Sequence, residues 1–165
     1  GGKLTAFRNM AQKIVDRIES KEKRFGLCKT HDLLLVGSTD IAAKGYQDLV
    51  DGLSKYKAKF ADYKNLERLV HSYGNVSFEM MELAKDDKSL VYTEIDYCIK
   101  NESLEHLADY YSRRSGKILF ASDEVKLNHK DLLSHFSKLK GLSADQISNE
   151  ENLFEKLKKE ALVNP

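Results

Sequence analysis

Apolar positions advance along most of this chain in alternating steps of three and four, the spacing that lines one face of an α-helix. Leu4, Phe7, Ala11, Ile14 and Ile18 form the first stripe and predict a helix over 3–25, with Gly26 placed as its C-terminal stop. A second stripe, Leu49, Leu53, Tyr56, Phe60, Tyr63, Leu66, Val70 and Tyr73, runs up to Gly74 and predicts a helix over 39–73. Ser38 or Thr39 would cap it, with Asp40 favourably placed in its first turn. Unbroken, that helix would be roughly 50 Å long, a length that belongs to an extended bundle or coiled coil. Gly45 and Gly52 lie on one face of it and, with Ala42, make a strip of small residues suited to a closely approaching neighbour.

Ser77 opens a third helix, 77–114, through Met80, Met81 and Leu83, then Leu90, Val91, Ile95, Cys98, Leu104, Leu107 and Tyr111. Its repeat slips between Asn101 and Ser103, where a kink or a fresh cap is expected. A fourth helix, 123–140, follows Ser122 or Asp123 and carries Val125, Leu132, Phe136 and Leu139 before Gly141. Two capping boxes, Ser143-x-x-Gln146 and Ser148-x-x-Glu151, precede a fifth helix at 149–162. Proline occurs only at position 165, so it breaks none of these segments. The predicted fold is all-α: an elongated antiparallel bundle of long helices in one domain, 1–165, with 142–165 as an appended helical tail. A competing α/β reading takes His31–Gly37, Lys117–Ala121 and the alternation Val91, Thr93, Ile95, Tyr97, Ile99 as a few short strands. The helical stripes are much longer and outweigh it.

Composition narrows the function classes. No apolar run approaches the roughly 20 residues of a membrane span. With 27 basic against 26 acidic residues, net +1, no nucleic-acid partner is expected. The charges are segregated, however, with the stretch 75–110 strongly acidic between two more basic flanks, an arrangement that suits packing with complementary rims. Cys28 and Cys98 sit in no metal-ligand or redox spacing, and no leader is visible. Free thiols in a reducing, cytoplasmic compartment are expected, with a single disulfide left open.

Candidate chemistry is sparse. On a helix, Glu102, Glu105, His106 and Asp109 would share one face at i, i+3, i+4 and i+7, and three carboxylates with an imidazole could take a divalent ion. Helical di-iron sites use Glu-x-x-His instead, and no histidine here has a glutamate three residues before it, so a solvated polar face is the weightier reading. Leu33–Thr39 resembles a strand entering a phosphate turn but lacks both GxxxxGK and GxGxxG. No nucleophile sits in a recognisable motif. The expectation is therefore a protein that is not an enzyme and needs no cofactor. Tyr110-Tyr111-Ser112-Arg113-Arg114 is the densest aromatic–basic cluster, rich in the residues that dominate interface energetics. Tyr110, Arg113 and Arg114, with Lys55 and Lys59, are the candidate partner-binding residues.

The stretch Asp96-Tyr97-Cys98-Ile99-Lys100 followed by Leu107-Ala-Asp-Tyr-Tyr-Ser-Arg113-Arg114 resembles the second long helix of sorting-nexin-type BAR domains. That resemblance implies dimerisation through extended helices and binding to curved, anionic membrane. The functional expectation is a protein–protein interaction or scaffolding module, pairing with a protein partner or a second protomer. BAR-like membrane binding is the alternative, and a metal-binding bundle a more distant one.

Overall fold

The computed structural model describes residues 3–24, 26, 28–39, 41 and 45–162. Among them there is no strand, and the fold is all-α. After a 3-10 turn at Leu4–Ala6 come α1 (Phe7–Glu22), α2 (Tyr46–Gly52, continuing as a 3-10 turn over Leu53–Tyr56), α3 (Tyr63–Tyr73), α4 (Val76–Leu83) and α5 (Asp87–Asn101). A short α6 (Leu107–Asp109) runs into a π-helical turn at Tyr110–Arg114, followed by α7 (Lys117–Phe120), α8 (Ser122–Lys140) and α9 (Ala144–Leu162). The segments expected as strands are otherwise employed: Val91–Ile99 lies inside α5, Lys117–Phe120 is α7, and His31–Gly37 is turn and coil.

The two longest expected helices are divided. Within 39–73, the chain leaves the helical path after Tyr56 and restarts at Asp62, whose carboxylate accepts from Asn65 N at 3.1 Å. The bend is held from a distance, because the Asp87 carboxylate accepts from Ala61 N (2.9 Å) and Asp62 N (3.2 Å). Within 77–114, Asp86 and Ser89 close a capping box that starts α5 afresh. That helix ends at Asn101, where Ser103 takes a left-handed φ of 53° and Leu104 N bonds back to Cys98 O. The slip in the apolar repeat marks this break. Of the small-residue strip, Ala42 lies outside the described residues, as do Asp40 and Phe25. Gly52 alone meets a close neighbour, the Phe78 ring 3.4 Å from where a Cβ would stand.

The core gathers Leu53, Leu66, Leu69, Met81, Leu90, Ile95, Leu107, Tyr110 and Phe136, all essentially inaccessible; burial of each such side chain contributes about 1.5–3 kcal/mol. Into it α9 inserts Phe154, stacked on His129 with ring centroids 3.6 Å apart. The entry of α9 uses the first of the two capping boxes: Gln146 N donates to Ser143 Oγ (3.3 Å) and Ser143 N donates to Gln146 Oε1 (2.8 Å). Ser148 falls inside the helix instead. Urea unfolding should therefore separate the two serines, with Ser143→Ala losing about 1 kcal/mol and Ser148→Ala staying within about 0.5 kcal/mol of the parent.

Candidate functional site

The densest buried chemistry lies where α3, α5 and the π-helical turn meet. Glu94, on α5, is fully buried. From α3, Arg68 clasps it with both terminal nitrogens, Nη1 to Oε1 at 2.9 Å and Nη2 to Oε2 at 2.6 Å. Tyr73, at the end of α3, donates its hydroxyl to Oε1 (3.0 Å), and Tyr110 donates to Oε2 (2.8 Å). The Cys98 thiol stands 3.3 Å from the Tyr73 hydroxyl. Each carboxylate oxygen thus takes two donors, and the charge is matched by a guanidinium.

The protonation states follow from burial. Desolvation, then the neighbouring Glu94 charge, pushes Tyr73 and Tyr110 far above the usual phenol range. Burial pushes the Cys98 thiol up to about 12, so it is no thiolate nucleophile. For Arg68, burial alone would lower the value, but the hydrogen bonds and charge of Glu94 outweigh it and hold the guanidinium charged. The cluster is saturated and rigid. It offers no free base or nucleophile and is built to fix three elements against one another.

Next to it lies a cavity of about 230 Å³ walled by Val91, Val125, Leu132, Tyr110 and Tyr111. Two ion pairs stand at its edge, Lys88 with Asp131 and Lys117 with Glu124, each at 2.6 Å. Behind Tyr111, the ring of His129 has Tyr111 Oη 3.0 Å from Nδ1 and Glu151 Oε2 3.2 Å from Nε2. Burial lowers the His129 pKa, and the attraction of Glu151 offsets this only in part. The folded state therefore binds this proton less readily than the unfolded chain, whose histidine titrates near 6.5. Its contribution to stability is complete above about pH 6.5 and is lost as pH falls through the depressed folded value, at no more than about 1.4 kcal/mol per pH unit. Unfolding free energy followed across that window should fall with acid in the parent and flatten in His129→Gln.

The residues singled out from sequence do not converge. Glu102, Glu105, His106 and Asp109 share no helical face, because α5 stops before them. Each has its own partner: Arg114 (3.3 Å), Lys140 (2.6 Å), Glu150 (2.7 Å) and Arg113 (3.5 Å) respectively. Among the described residues no three such side chains stand close enough to share a metal ion. Glu150, itself buried, also accepts from Leu107 N at 2.9 Å and so caps α6. Tyr110 is a core residue and presents no surface. Arg113 and Arg114 pair with Asp109 and Glu102 on one side. Lys55 pairs with Glu82, and Lys59 donates to the carbonyls of Met81 (2.7 Å) and Glu82 (3.3 Å), closing the C-terminus of α4. Glu94 and Arg68 went unnoticed in the sequence, although a carboxylate lying among Leu90, Val91 and Cys98 on an apolar stripe is the signal that marks them.

Fold and polar core together define an all-helical domain stiffened by a buried ion-pair network. Its family follows from comparison: the family described as the C-terminal domain of alpha-glycerophosphate oxidase matches residues 28–147, and the chain belongs to that family. An aerobic glycerol-3-phosphate dehydrogenase of Staphylococcus saprophyticus is 31% identical over 144 residues, covering 79% of this chain and 26% of that protein. One from Bacillus subtilis is 32% identical over 151 residues, 82% of this chain and 27% of the relative. The crystal structure of the glycerol-3-phosphate dehydrogenase from Bacillus halodurans complexed with FAD superposes with a TM-score of 0.81 at 23% identity, over 96% of this chain and 34% of that one. The chain thus corresponds to about a quarter to a third of the length of these proteins.

Family membership corrects the functional expectations. The likeness to sorting-nexin BAR domains does not hold, and neither do the readings as scaffolding module, coiled coil or curvature-binding module. The expectation of a protein that is not an enzyme is overturned by the same match, since the family is a domain of an oxidoreductase. Among the described residues no helix is long and apolar enough to cross a membrane.

Proposed function

We propose that this chain is the C-terminal helical domain of an FAD-dependent glycerol-3-phosphate dehydrogenase, and that the longer protein oxidises glycerol 3-phosphate. The observation that carries the reading is the family match over 28–147, which spans the whole buried network and most of the core. The domain's own part is structural. Flavin dinucleotides rest on a glycine-rich strand–turn–helix, and the described residues contain no strand. The described residues by themselves form no such cradle. What they supply is a unit whose helices are fixed by Glu94, Arg68, Tyr73 and Tyr110. The free thiols of Cys28 and Cys98 fit a cytoplasmic setting.

The test uses the full-length protein, purified with its flavin. Addition of glycerol 3-phosphate should bleach the flavin absorbance and reduce an artificial electron acceptor, while glycerol should do neither. Flavin-loaded protein that glycerol 3-phosphate leaves oxidised would overturn the reading.

A further inference from the structure

Helix α1 is amphipathic, 16 residues long, and buries none of them. Phe7, Met10, Ile14, Val15 and Ile18, with Leu4 just before the helix, are exposed by 40–87%. Together they cover roughly 140° of the helix circumference at 100° per residue, the width of stripe that ordinarily faces a core. Single apolar side chains such as Leu83, Phe120 and Leu127 are exposed elsewhere, but among the described α-helices α1 is the one that buries none of its residues. The run Leu33–Val36, also exposed at every position, adds apolar surface in the same N-terminal part of the sequence.

Two observations identify the occupant. First, the family match begins at residue 28, so α1 precedes the matched domain. The family is a C-terminal domain, and the relatives are about four times as long as the stretch they share with this chain. Most of such a protein therefore lies on the N-terminal side, where α1 stands. Second, the polar side of α1 is mixed in charge: four basic residues, Arg8, Lys13, Arg17 and Lys21, are interspersed with three acidic ones, Asp16, Glu19 and Glu22. A helix made for an anionic lipid surface carries a basic polar face, and this one does not.

We infer that the apolar stripe of α1 is an interdomain surface, seated against the N-terminal, flavin-bearing part of the same polypeptide. The inference rests on the proposed function above for the nature of that part. Burying the stripe there couples the helical domain to the rest of the enzyme by apolar contact, as expected of a large, rarely opened domain interface.

The test is cysteine accessibility in the full-length protein. Ile14→Cys lies on the stripe, and Lys13→Cys lies on the exposed polar side of the same helix. Maleimide labelling is followed by tryptic peptide mass, which separates both positions from Cys28. Ile14→Cys should react at least about tenfold more slowly than Lys13→Cys, at every protein concentration and without lipid. Equal rates overturn the proposal. Protection that vanishes on dilution assigns the stripe to a second copy, and protection that appears only with anionic vesicles assigns it to a membrane; either also overturns it. Should Ile14→Cys fail to fold, hydroxyl-radical footprinting of the unsubstituted protein reads the same surface at Phe7 and Met10, whose oxidation should be suppressed relative to an unstructured peptide of that sequence. Labelling needs no turnover, so its failure is distinct from failure of the proposed activity. A protein that oxidises glycerol 3-phosphate yet labels freely at Ile14→Cys loses the interface alone.

Discussion

Replacing Glu94 by alanine is expected to destabilise the protein by about 3–5 kcal/mol, the range for removing one half of a buried ion pair. The loss exceeds that of one contact because four donors depend on this carboxylate. Arg68 keeps a guanidinium that is largely shielded from solvent, and the hydroxyls of Tyr73 and Tyr110 are left buried without their acceptor. Glu94→Gln should fare little better. Its amide nitrogen must face one guanidinium nitrogen, donor against donor, while the tyrosine hydroxyl on that side must turn from donating to accepting. Arg68→Ala is also costly, since it leaves the carboxylate with two neutral donors and no counter-charge. A double-mutant cycle between the two positions should give a coupling of about 0.5–3 kcal/mol. Chemical denaturation of the four proteins measures it, and additive losses would show that the pair does not act as a unit.

The second large effect is expected at Gly74. The loop before α2 is joined to the α3–α4 turn by two glycines laid against each other. Asn75 N donates to Gly37 O at 3.0 Å. A Cβ on Gly74 would stand 1.9 Å from that same carbonyl oxygen, and one on Gly37 would stand 2.1 Å from Tyr73 O. Both neighbours are backbone, so no side chain can swing aside. Gly74 also adopts φ 57°, ψ −135°, a combination that side chains disfavour by about 1–3 kcal/mol. Gly74→Ala should therefore cost about 3 kcal/mol or more once strain and collision are combined. Gly141 is the control. It too has positive φ, but nothing lies within 4 Å of its Cβ position, so Gly141→Ala should lose only about 1–2 kcal/mol. Equal losses at the two positions would mean that the contact with Gly37 carries no weight.

Much of the local structure was legible in the pattern of side chains. The stripe Leu4–Ile18 does form a helix, the slip at Asn101–Ser103 is a helix end, and Ser143 with Gln146 is a working cap. Each of these depends on residues no more than a turn or two apart, so one stretch of sequence contains the whole cause. The repeat alone, by contrast, continues across 57–62 without a sign of the bend there. Tyr56, Phe60 and Tyr63 keep helical spacing because both sides of the bend bury the same face. The interruption depends on Asp87, which is distant in sequence and takes the Ala61 and Asp62 amides.

The site shows the same division. Sequence placed Glu102, Glu105, His106 and Asp109 on one face by assuming a continuous helix, and the positive φ of Ser103 scatters them to four separate partners. It placed Tyr110 at a surface because aromatic–basic clusters favour interfaces, whereas the π-helical turn directs its hydroxyl onto Glu94. No motif announced the family, since this domain carries no dinucleotide fingerprint. The sequence by itself determined that the chain is helical, roughly where several helices stop, and that α1 has an apolar face, all consequences of spacing within a few turns. Only the tertiary structure decided that Arg68 and Glu94 meet, that Gly37 and Gly74 touch, and that the face of α1 stays uncovered by the other described residues. Those are contacts between residues far apart in sequence, and they exist only after chain reversal brings the elements together.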